Sequence, residues 1–385
     1  MASYAAGVRP PRQVTTNSPV WEEGGWQPLP QQTGRNEADV VVVGLGGSGL
    51  AAVHRLLDAG LWVAGIDAQR VASGAAGGNG GFLLAGTSAF HHRAAAELGR
   101  ERAADLYRLT IEEIGRMLEQ GDGDVRRVGS LRIADSAEEL EDCWRQQEAM
   151  VDDGLPVERY RGAEGEGLLF PGDSVFEPLK RCRQSARRAL ERGAQLFEQT
   201  EAVEIAGDRV VTRRGELHCK AVIVAVDGRL ERLLPELAGR IRTARLQMLA
   251  TAPTEEVSLP RPVYLRYGYD YYQQTAAGRI AIGGFRDRAG QGEWTTDPAP
   301  SQAVQRRLER FVRERLGVSA PITHRWAASV GYSGGVLPLL AEVRPRVWAL
   351  GGYNGTGNVI GALLGRAAAE LAAGGRSALA ERFFG

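Results

Sequence analysis

Short uninterrupted apolar runs alternate with longer stretches of helical spacing along this chain, and that order predicts an α/β protein. "ADVVVVG" at 38–44 is continuous and apolar, as in a parallel strand buried on both faces. "LAAVHRLLDAG" follows, with Leu50, Val53, Leu57 and Leu61 spaced for one helical face and Gly60 as the stop. A second strand, "LWVAGID", ends on Asp67, so the three elements make one βαβ unit. The spacing further on predicts a helix over 94–120 with Leu106, Leu109, Ile114 and Met117 on its apolar face. "VGSLRIADS" (128–136) opens a strand, and 186–228 reads helix, strand, hairpin strands and the buried strand "AVIVAVDG". Residues 246–284 alternate and are rich in β-formers, which predicts an antiparallel sheet. The last helix is predicted over 358–371, with Ile360, Leu364, Ala367 and Leu371 in one stripe and Gly374-Gly375 ending it.

Chemistry enters at the turn between the first strand and helix. Gly44-Leu45-Gly46-Gly47-Ser48-Gly49 matches GxGxxG, and here it stands in a strand–turn–helix context with an acid closing the next strand. Gly44 permits the tight turn, Gly46 lets a pyrophosphate approach the backbone, and Gly49 lets the helix pack close to the sheet. The unpaired N–H groups and partial positive charge of the helix N-terminus suit phosphate, and Asp67 is placed to accept from ribose hydroxyls. The unit is therefore expected to bind a dinucleotide, with NAD and FAD both open at this point. "QRVASGAAGGNGGFLLAG" (69–86) follows, where small residues imply close backbone approach to something flat or long. A second glycine run, "GGYNGTGNVIG" at 351–361, lies about three hundred residues away.

Three stretches carry a family likeness: "ASGAAGGNGGF" (72–82), "DYYQQTAAGRIAIGG" (270–284) and "GGYNGTGNVIGALLGRAAAEL" (351–371). Together they resemble the FAD-dependent amine and amino-acid oxidoreductases of the D-amino-acid oxidase superfamily, and most of all its gamma-glutamylputrescine oxidase-like branch, with the glycine oxidases close by. The resemblance spans about residues 20–375 and implies a Rossmann-like FAD-binding domain interleaved with an antiparallel-sheet substrate domain. The implied division is an N-terminal arm at 1–37, FAD-binding segments at 38–124, 175–238 and 335–385, and substrate segments at 125–174 and 239–334. Trp21 and Trp26 are expected to anchor the arm to the body.

By the same resemblance FAD meets Gly44, Gly46, Gly47, Ser48 and Gly49 at the pyrophosphate, and Asp67, Ala68, Gln69 and Arg70 after the second strand. Ser73, Gly74, Asn79, Gly80, Gly81 and Phe82 would follow along the cofactor, with Val203, Ala225, Val226 and Gly228 from the second FAD segment, Val203 at the adenine. Gly352, Tyr353, Asn354, Gly355, Thr356, Gly357 and Asn358 would close the set, the backbone of 355–357 facing the flavin N1–C2=O edge. The helix behind them would present its positive end to anionic reduced flavin. Some relatives attach FAD through Cys or His; neither occurs in 72–87 or 351–361, so the FAD is expected to be non-covalent.

The implied activity is oxidation of a C–N bond of an amine, secondary or polyamine-like, by hydride transfer to flavin N5, giving an imine that hydrolyses. The electron acceptor is oxygen or another oxidant. The reactive amine must be neutral, which a desolvated pocket favours, and no dedicated general base is evident. Alternatives are an amino-acid (glycine or D-amino-acid) or hydroxy-acid oxidising flavoenzyme, and a subunit whose FAD is structural. For the substrate pocket the candidates lie in "YLRYGYDYY", where alternation puts Tyr267, Tyr269 and Tyr271 on one side and Asp270 and Tyr272 on the other. Either side could face the flavin, and a plain sheet surface reads equally well. Arg286, Tyr332 and Asn354 are further candidates, with Arg266 and Trp294 behind them. Glycine and D-amino-acid oxidases clamp the substrate carboxylate with arginine at the places held here by Tyr332 and Asn354, which counts against a small α-amino acid. The position of the oxygen-activating lysine of sarcosine oxidases holds Ala281.

Composition changes this picture little. Charged residues make up 24% of the chain and the formal net charge is zero, which leaves no footprint for nucleic acid or an anionic membrane. No apolar run reaches the ~20 residues of a membrane span, and the start lacks the order of a signal peptide. Cys143, Cys182 and Cys219 have no metal-ligand spacing and read as reduced thiols of a cytoplasmic protein, with no metal expected. His91 and His92 follow the segment "GGFLLAGTSAF" and could approach the active site, with a solvated pair at an exposed helix start the preferred reading, and His218, Cys219 and His324 read as structural.

Overall fold

The computed structural model describes residues 15–22 and 24–385, so part of the arm, 1–14 and 23, lies outside the described residues. The fold is mixed α/β. A six-stranded sheet runs in the order Gln195–Phe197, Val63–Ile66, Val40–Val43, Ala221–Val224, Val347–Gly351, Leu339–Arg344, all parallel except the last pair. Its centre is buried on both faces: all four residues of Val40–Val43 and of Ala221–Val224 are buried, which is why those runs are apolar without alternation. Helix Gly47–Asp58 and helix Ile360–Gly374 cross on one side of this sheet, so the two glycine-rich ends of the chain meet there.

The second layer is a nine-stranded sheet built chiefly from Ser130–Ile133, Gly165–Phe170, Arg242–Pro253, Val263–Leu265, Asp270–Gln274, Arg279–Gly283 and Ile322–Tyr332. It is mixed rather than purely antiparallel. Val263–Leu265 runs parallel to Ser130–Ile133, and Thr15–Thr16 runs parallel to Ile322–Tyr332. These neighbours come from distant segments, so no hairpin turn dictates their direction. The arm adds a parallel edge strand, Gly34–Glu37, to the meander Ala202–Ala206, Arg209–Thr212, Gly215–His218. Trp21 and Trp26 are buried, and their indole N–H groups donate to Asn79 O (2.9 Å) and Glu198 Oε1 (2.8 Å).

Two elements depart from the pattern in the sequence. The helix predicted over 94–120 is two, His91–Leu98 and Arg100–Gln120, because Gly99 sits at φ 88° and breaks the ladder between them. The tyrosine-rich strand is a hairpin, Val263–Leu265 and Asp270–Gln274. It turns through Arg266 and Tyr267 at φ 51° and 57°, two non-glycine residues in left-handed backbone. The last helix runs Ile360–Gly374 and ends on left-handed Gly375, φ 71°.

Candidate active site

Between the two large sheets lies one cavity of about 960 Å³, at the upper end of the range for small-molecule sites. Its first wall is the turn after Val40–Val43. Gly44, at φ 102°, has Ala225 O only 2.7 Å from where a Cβ would stand, and a Cβ on Gly49 would fall on the carbonyl of Gly44. The helix that starts at Gly47 has no side-chain cap and no acid in its first turn, so its N–H groups are left for a ligand. Asp67, just past the second strand, accepts from Leu45 N (2.9 Å) and Gln69 N (2.8 Å), and burial pushes its carboxyl up to about 6.

The opposite glycine run is tied directly to the early one. Asn79 and Asn358 exchange amide hydrogen bonds at 3.0 and 3.1 Å, and Asn358 also donates to Phe82 O at 2.9 Å. The carbonyls of the early run are held from other directions as well. Trp326 Nε1 donates to Gly78 O (2.7 Å), Trp21 Nε1 to Asn79 O, and Gln273 Nε2 to Gly80 O. Asp227, at φ 51°, accepts from Gly331 N (3.1 Å), Gly352 N (2.8 Å) and Tyr353 N (3.3 Å), so one carboxylate joins both sheets and the last glycine run. Burial pushes this carboxyl up to about 6 as well. We expect Asn358→Leu to lower cofactor affinity about 10- to 100-fold with little loss of secondary structure, because it leaves Asn79 and Phe82 O short of partners at the join. Flavin release followed by fluorescence measures it.

Of the residues expected at the cofactor, Gly44, Gly46, Gly47, Ser48, Asp67, Ala68 and Gln69 line the cavity, as do Ser73, Gly74, Asn79, Gly80 and Phe82. Val203, Ala225, Val226, Gly228 and Tyr353 through Asn358 line it too. Gly49, Arg70, Gly81 and Gly352 do not; Gly49, Gly81 and Gly352 stand behind the wall, where close backbone or side-chain neighbours explain the glycine.

The substrate candidates divide. Tyr267, Tyr271, Tyr332 and Asn354 line the cavity, whereas Tyr269, Asp270 and Arg286 do not. The hairpin explains the split, since alternation does not run through a turn. Tyr264 pairs with Tyr271 and Leu265 with Asp270, so Tyr264 and Tyr271 face the cavity while Asp270 faces the core. Asp270 accepts from Phe285 N (2.8 Å) and pairs with Arg266 Nε at 3.1 Å. Tyr269 is 40% exposed, and the Arg286 guanidinium lies over the rings of Tyr332 (4.6 Å) and Trp294 (4.8 Å), behind the wall. The Asn354 amide is committed to the 333–335 turn, accepting from Ser333 N at 2.9 Å and donating to Gly335 O at 2.7 Å.

The pairing register sets out a row of residues across the large sheet. Arg132 is opposite Tyr264, Tyr264 opposite Tyr271, Tyr271 opposite Gly283, Gly283 opposite Met248 and Met248 opposite Trp326. The Tyr271 ring occupies the space a Cβ on Gly283 would take, which gives that glycine its reason. Sequence reading missed Tyr264, Arg132 and Asp227. Arg132 had left a signal, a lone charge between Leu131 and Ile133, which are both buried. His91 is corrected as well. It is 3% exposed, lines the cavity and bonds Asp153 Oδ2 through Nε2 at 2.7 Å, since the helix start is covered by helix Ala137–Asp152 rather than open to water.

Two glycine runs on a parallel sheet, facing a second sheet across a cavity, define a dinucleotide-binding oxidoreductase fold. Over residues 39–371 the chain matches the FAD dependent oxidoreductase family, DAO, and it belongs to that family. It is 29% identical over 377 residues to a probable oxidoreductase, OrdL, of Rhizobium meliloti (strain 1021), covering 90% of this chain and 85% of that protein. It is 27% identical over 384 residues to gamma-glutamylputrescine oxidoreductase of Escherichia coli (strain K12), with the same coverage. The fold is similar to that of glycine oxidase from Geobacillus kaustophilus, with TM-score 0.74, 20% identity, and 89% and 96% of the two chains covered. The protein is thus an FAD-dependent enzyme, and the chain's own groups fit the cofactor. The uncapped helix N-terminus suits a pyrophosphate, and Gly47, Gly74 and Gly355 have nothing within 4 Å of a Cβ position. Among the described residues no helix is long and apolar enough to cross a membrane, and no group of three acidic, His or Cys side chains could hold a metal.

Proposed function

We propose that this enzyme oxidises a C–N bond of an amine, secondary or polyamine-like. The observation that carries the reading is the aromatic wall of Tyr264, Tyr271 and Tyr332 on the sheet face of the cavity. Burial raises the phenols of all three, so they stay neutral and present ring surface and O–H rather than charge. Such a wall favours an alkyl chain and a neutral nitrogen, and only the neutral amine can release hydride from its neighbouring carbon. The relatives agree in kind: one is named for gamma-glutamylputrescine, and a sarcosine oxidase subunit beta of Rhodobacter capsulatus is 26% identical over 400 residues, covering 94% of this chain and 90% of that protein.

In this reading Gly44 to Gly49 would hold the pyrophosphate, Asp67 the ribose, Val203 the adenine, and the 355–358 turn the flavin edge. The chain then divides into FAD-binding segments 38–124, 175–238 and 335–385 around substrate segments 125–174 and 239–334. When bound, FAD supplies the hydride acceptor for the amine carbon. The chain's part is to fix the amine against it, exclude water with the aromatic wall and keep the nitrogen unprotonated. Water hydrolyses the resulting imine to a carbonyl compound and the shorter amine or ammonia.

The test is anaerobic mixing of the purified yellow protein with amines, amino acids and hydroxy acids while the flavin absorption is followed. Amines are expected to bleach it; rapid return of colour in air, with peroxide, makes the enzyme an oxidase, and slow return makes it a dehydrogenase. Bleaching by α-amino or hydroxy acids alone overturns the reading in favour of those substrates, and no bleaching at all points to a structural FAD. Acid precipitation is expected to leave the flavin in the supernatant, as for a non-covalent cofactor.

A further inference from the structure

We propose that His91, held by Asp153, is the proton acceptor of the substrate cavity, taking the proton that an alkylammonium must lose before its carbon can give up hydride. This rests on the amine reading above. Leu84 through Ala89 line the cavity without a break and carry its wall from Phe82 to His91. Among the described residues His91 is the only histidine that lines it. The ring is buried, with Tyr107 edge-on at 5.7 Å between centroids, and Nε2 meets Asp153 Oδ2 at 2.7 Å. Nδ1 has no hydrogen-bond partner among the described residues, yet it is not sealed in as Nδ1 of His92 is, so what it meets is the cavity.

Asp153 fixes which nitrogen can accept. Its Oδ1 takes a bond from Arg100 Nε, and its backbone carbonyl takes one from Arg108 Nη2 at 2.6 Å. Burial pulls the carboxyl up, but the bonds from His91 and Arg100 outweigh that and hold it below the usual carboxylate range. An ionised carboxylate only accepts, so Nε2 carries the proton of the neutral ring and Nδ1 keeps its lone pair. The same charge stabilises the imidazolium that forms when Nδ1 takes a proton.

The other groups near the ring are engaged elsewhere. On its own helix His92 and Arg93 face Asp142, as does Arg145 of helix Ala137–Asp152, and Glu97 accepts from Val336 N. Burial pushes the Tyr107 phenol, on helix Arg100–Gln120, far up, so it stays protonated. Of the acids lining the cavity, Asp67, Asp173 and Asp227 each have both oxygens engaged by donors, and Glu201 pairs with Arg213.

An alkylamine arrives near neutral pH as its ammonium ion, since such groups titrate at about 10.4. His91 Nδ1 takes one N–H proton and leaves the neutral amine. The amine carbon then passes a hydrogen with its electron pair to oxidised FAD, and the substrate becomes an iminium ion. Water converts that ion to a carbonyl compound and an ammonium ion, and His91 returns its proton to solvent.

The experiment follows anaerobic flavin reduction by saturating n-alkylamines from about pH 7 to about pH 10 in the wild type, His91→Gln and Asp153→Asn. Each variant is first checked for flavin content and melting temperature. Glutamine keeps a donor for Asp153 but cannot take a proton. The reduction rate of His91→Gln is expected at least ~10-fold below wild type near pH 7. The gap should close towards pH 10, where much of the amine arrives already neutral. Asp153→Asn removes the charge behind the ring, so it should lose rate in the same pH range, and it carries the test if His91→Gln does not fold. No loss in either variant, or a loss equal at every pH as for a mere tie between helices, overturns the proposal while leaving the amine reading intact. If no amine bleaches the flavin, the amine reading fails on its own. Nitrogen-15 spectra of the histidine-labelled holoenzyme, with His91→Gln identifying the signal, then decide the acceptor without turnover. A bare Nδ1 in the neutral ring keeps His91 as the proton acceptor of the cavity; a proton on Nδ1 overturns it.

Discussion

Gly49→Val is expected to purify colourless, with FAD affinity lowered at least ~100-fold. A Cβ at that position would coincide with the carbonyl oxygen of Gly44, and backbone cannot move aside as a flexible side chain can. Gly44 is itself pinned, because it sits at φ 102° with Ala225 O 2.7 Å from its own Cβ position. The strain must therefore be relieved by lifting the first turn of helix Gly47–Asp58 off the sheet, which withdraws the N–H groups a pyrophosphate needs. Gly47→Ala is the matched control. Nothing lies within 4 Å of its Cβ, so the apoprotein should melt no lower than wild type and gain up to about 1 kcal/mol of helix propensity. If Gly47→Ala nonetheless weakens FAD binding, the space above Gly47 belongs to the cofactor rather than to the fold. A yellow Gly49→Val with normal affinity would show that the turn does not carry the cofactor. Flavin absorbance per protein, with apoprotein reconstitution, gives both answers.

What could be read from the residues, and what could not, follows from the range of the interactions. The strand "VVVV", the turn after it and the helix from Leu50 are local, and burial on both faces leaves an apolar run that nothing else explains. The glycine runs were legible because a missing side chain advertises close approach even before the neighbour is known. Gly99 at φ 88° was hidden inside an otherwise periodic stretch, where a single glycine is ordinary. The hairpin at 266–268 was hidden for the opposite reason. Arg266 and Tyr267 adopt left-handed backbone without being glycine or asparagine, and Gly268 at φ 87° is a single glycine in a run otherwise rich in β-formers, too weak a signal to place the turn. Once that turn was missed, the alternation was carried one register too far, and Tyr269 and Asp270 were treated as pocket candidates in place of Tyr264. Arg132 and Asp227 are matters of tertiary pairing. Their roles depend on strands or loops more than one hundred residues away, and no spacing within the chain encodes that.

The join between the two ends of the chain can be tested one helical turn apart. Gly361 and Gly365 both lie on the face of helix Ile360–Gly374 that crosses helix Gly47–Asp58, four residues apart and so one above the other. A Cβ at Gly361 would meet Tyr353 at 3.4 Å and Ser48 Cβ at 3.5 Å, ordinary contact distances. A Cβ at Gly365 would fall on the Ser48 carbonyl oxygen and stand 3.2 Å from Ala51 Cβ. Either change to alanine gains about 1 kcal/mol of intrinsic helix propensity. At Gly361 nothing opposes that gain, and the melting temperature should hold or rise. At Gly365 overpacking against backbone costs about 1–3 kcal/mol with alanine and more with valine, so Gly365→Val should melt several degrees lower. It should also lose flavin, because the helix it displaces is continuous with the 355–358 turn and with Asn358, which ties that turn to Asn79. Equal effects at the two positions would mean that the helices part easily and that the cofactor site does not depend on their contact. Opposite effects would locate that dependence at the single point where Gly365 rides over Ser48.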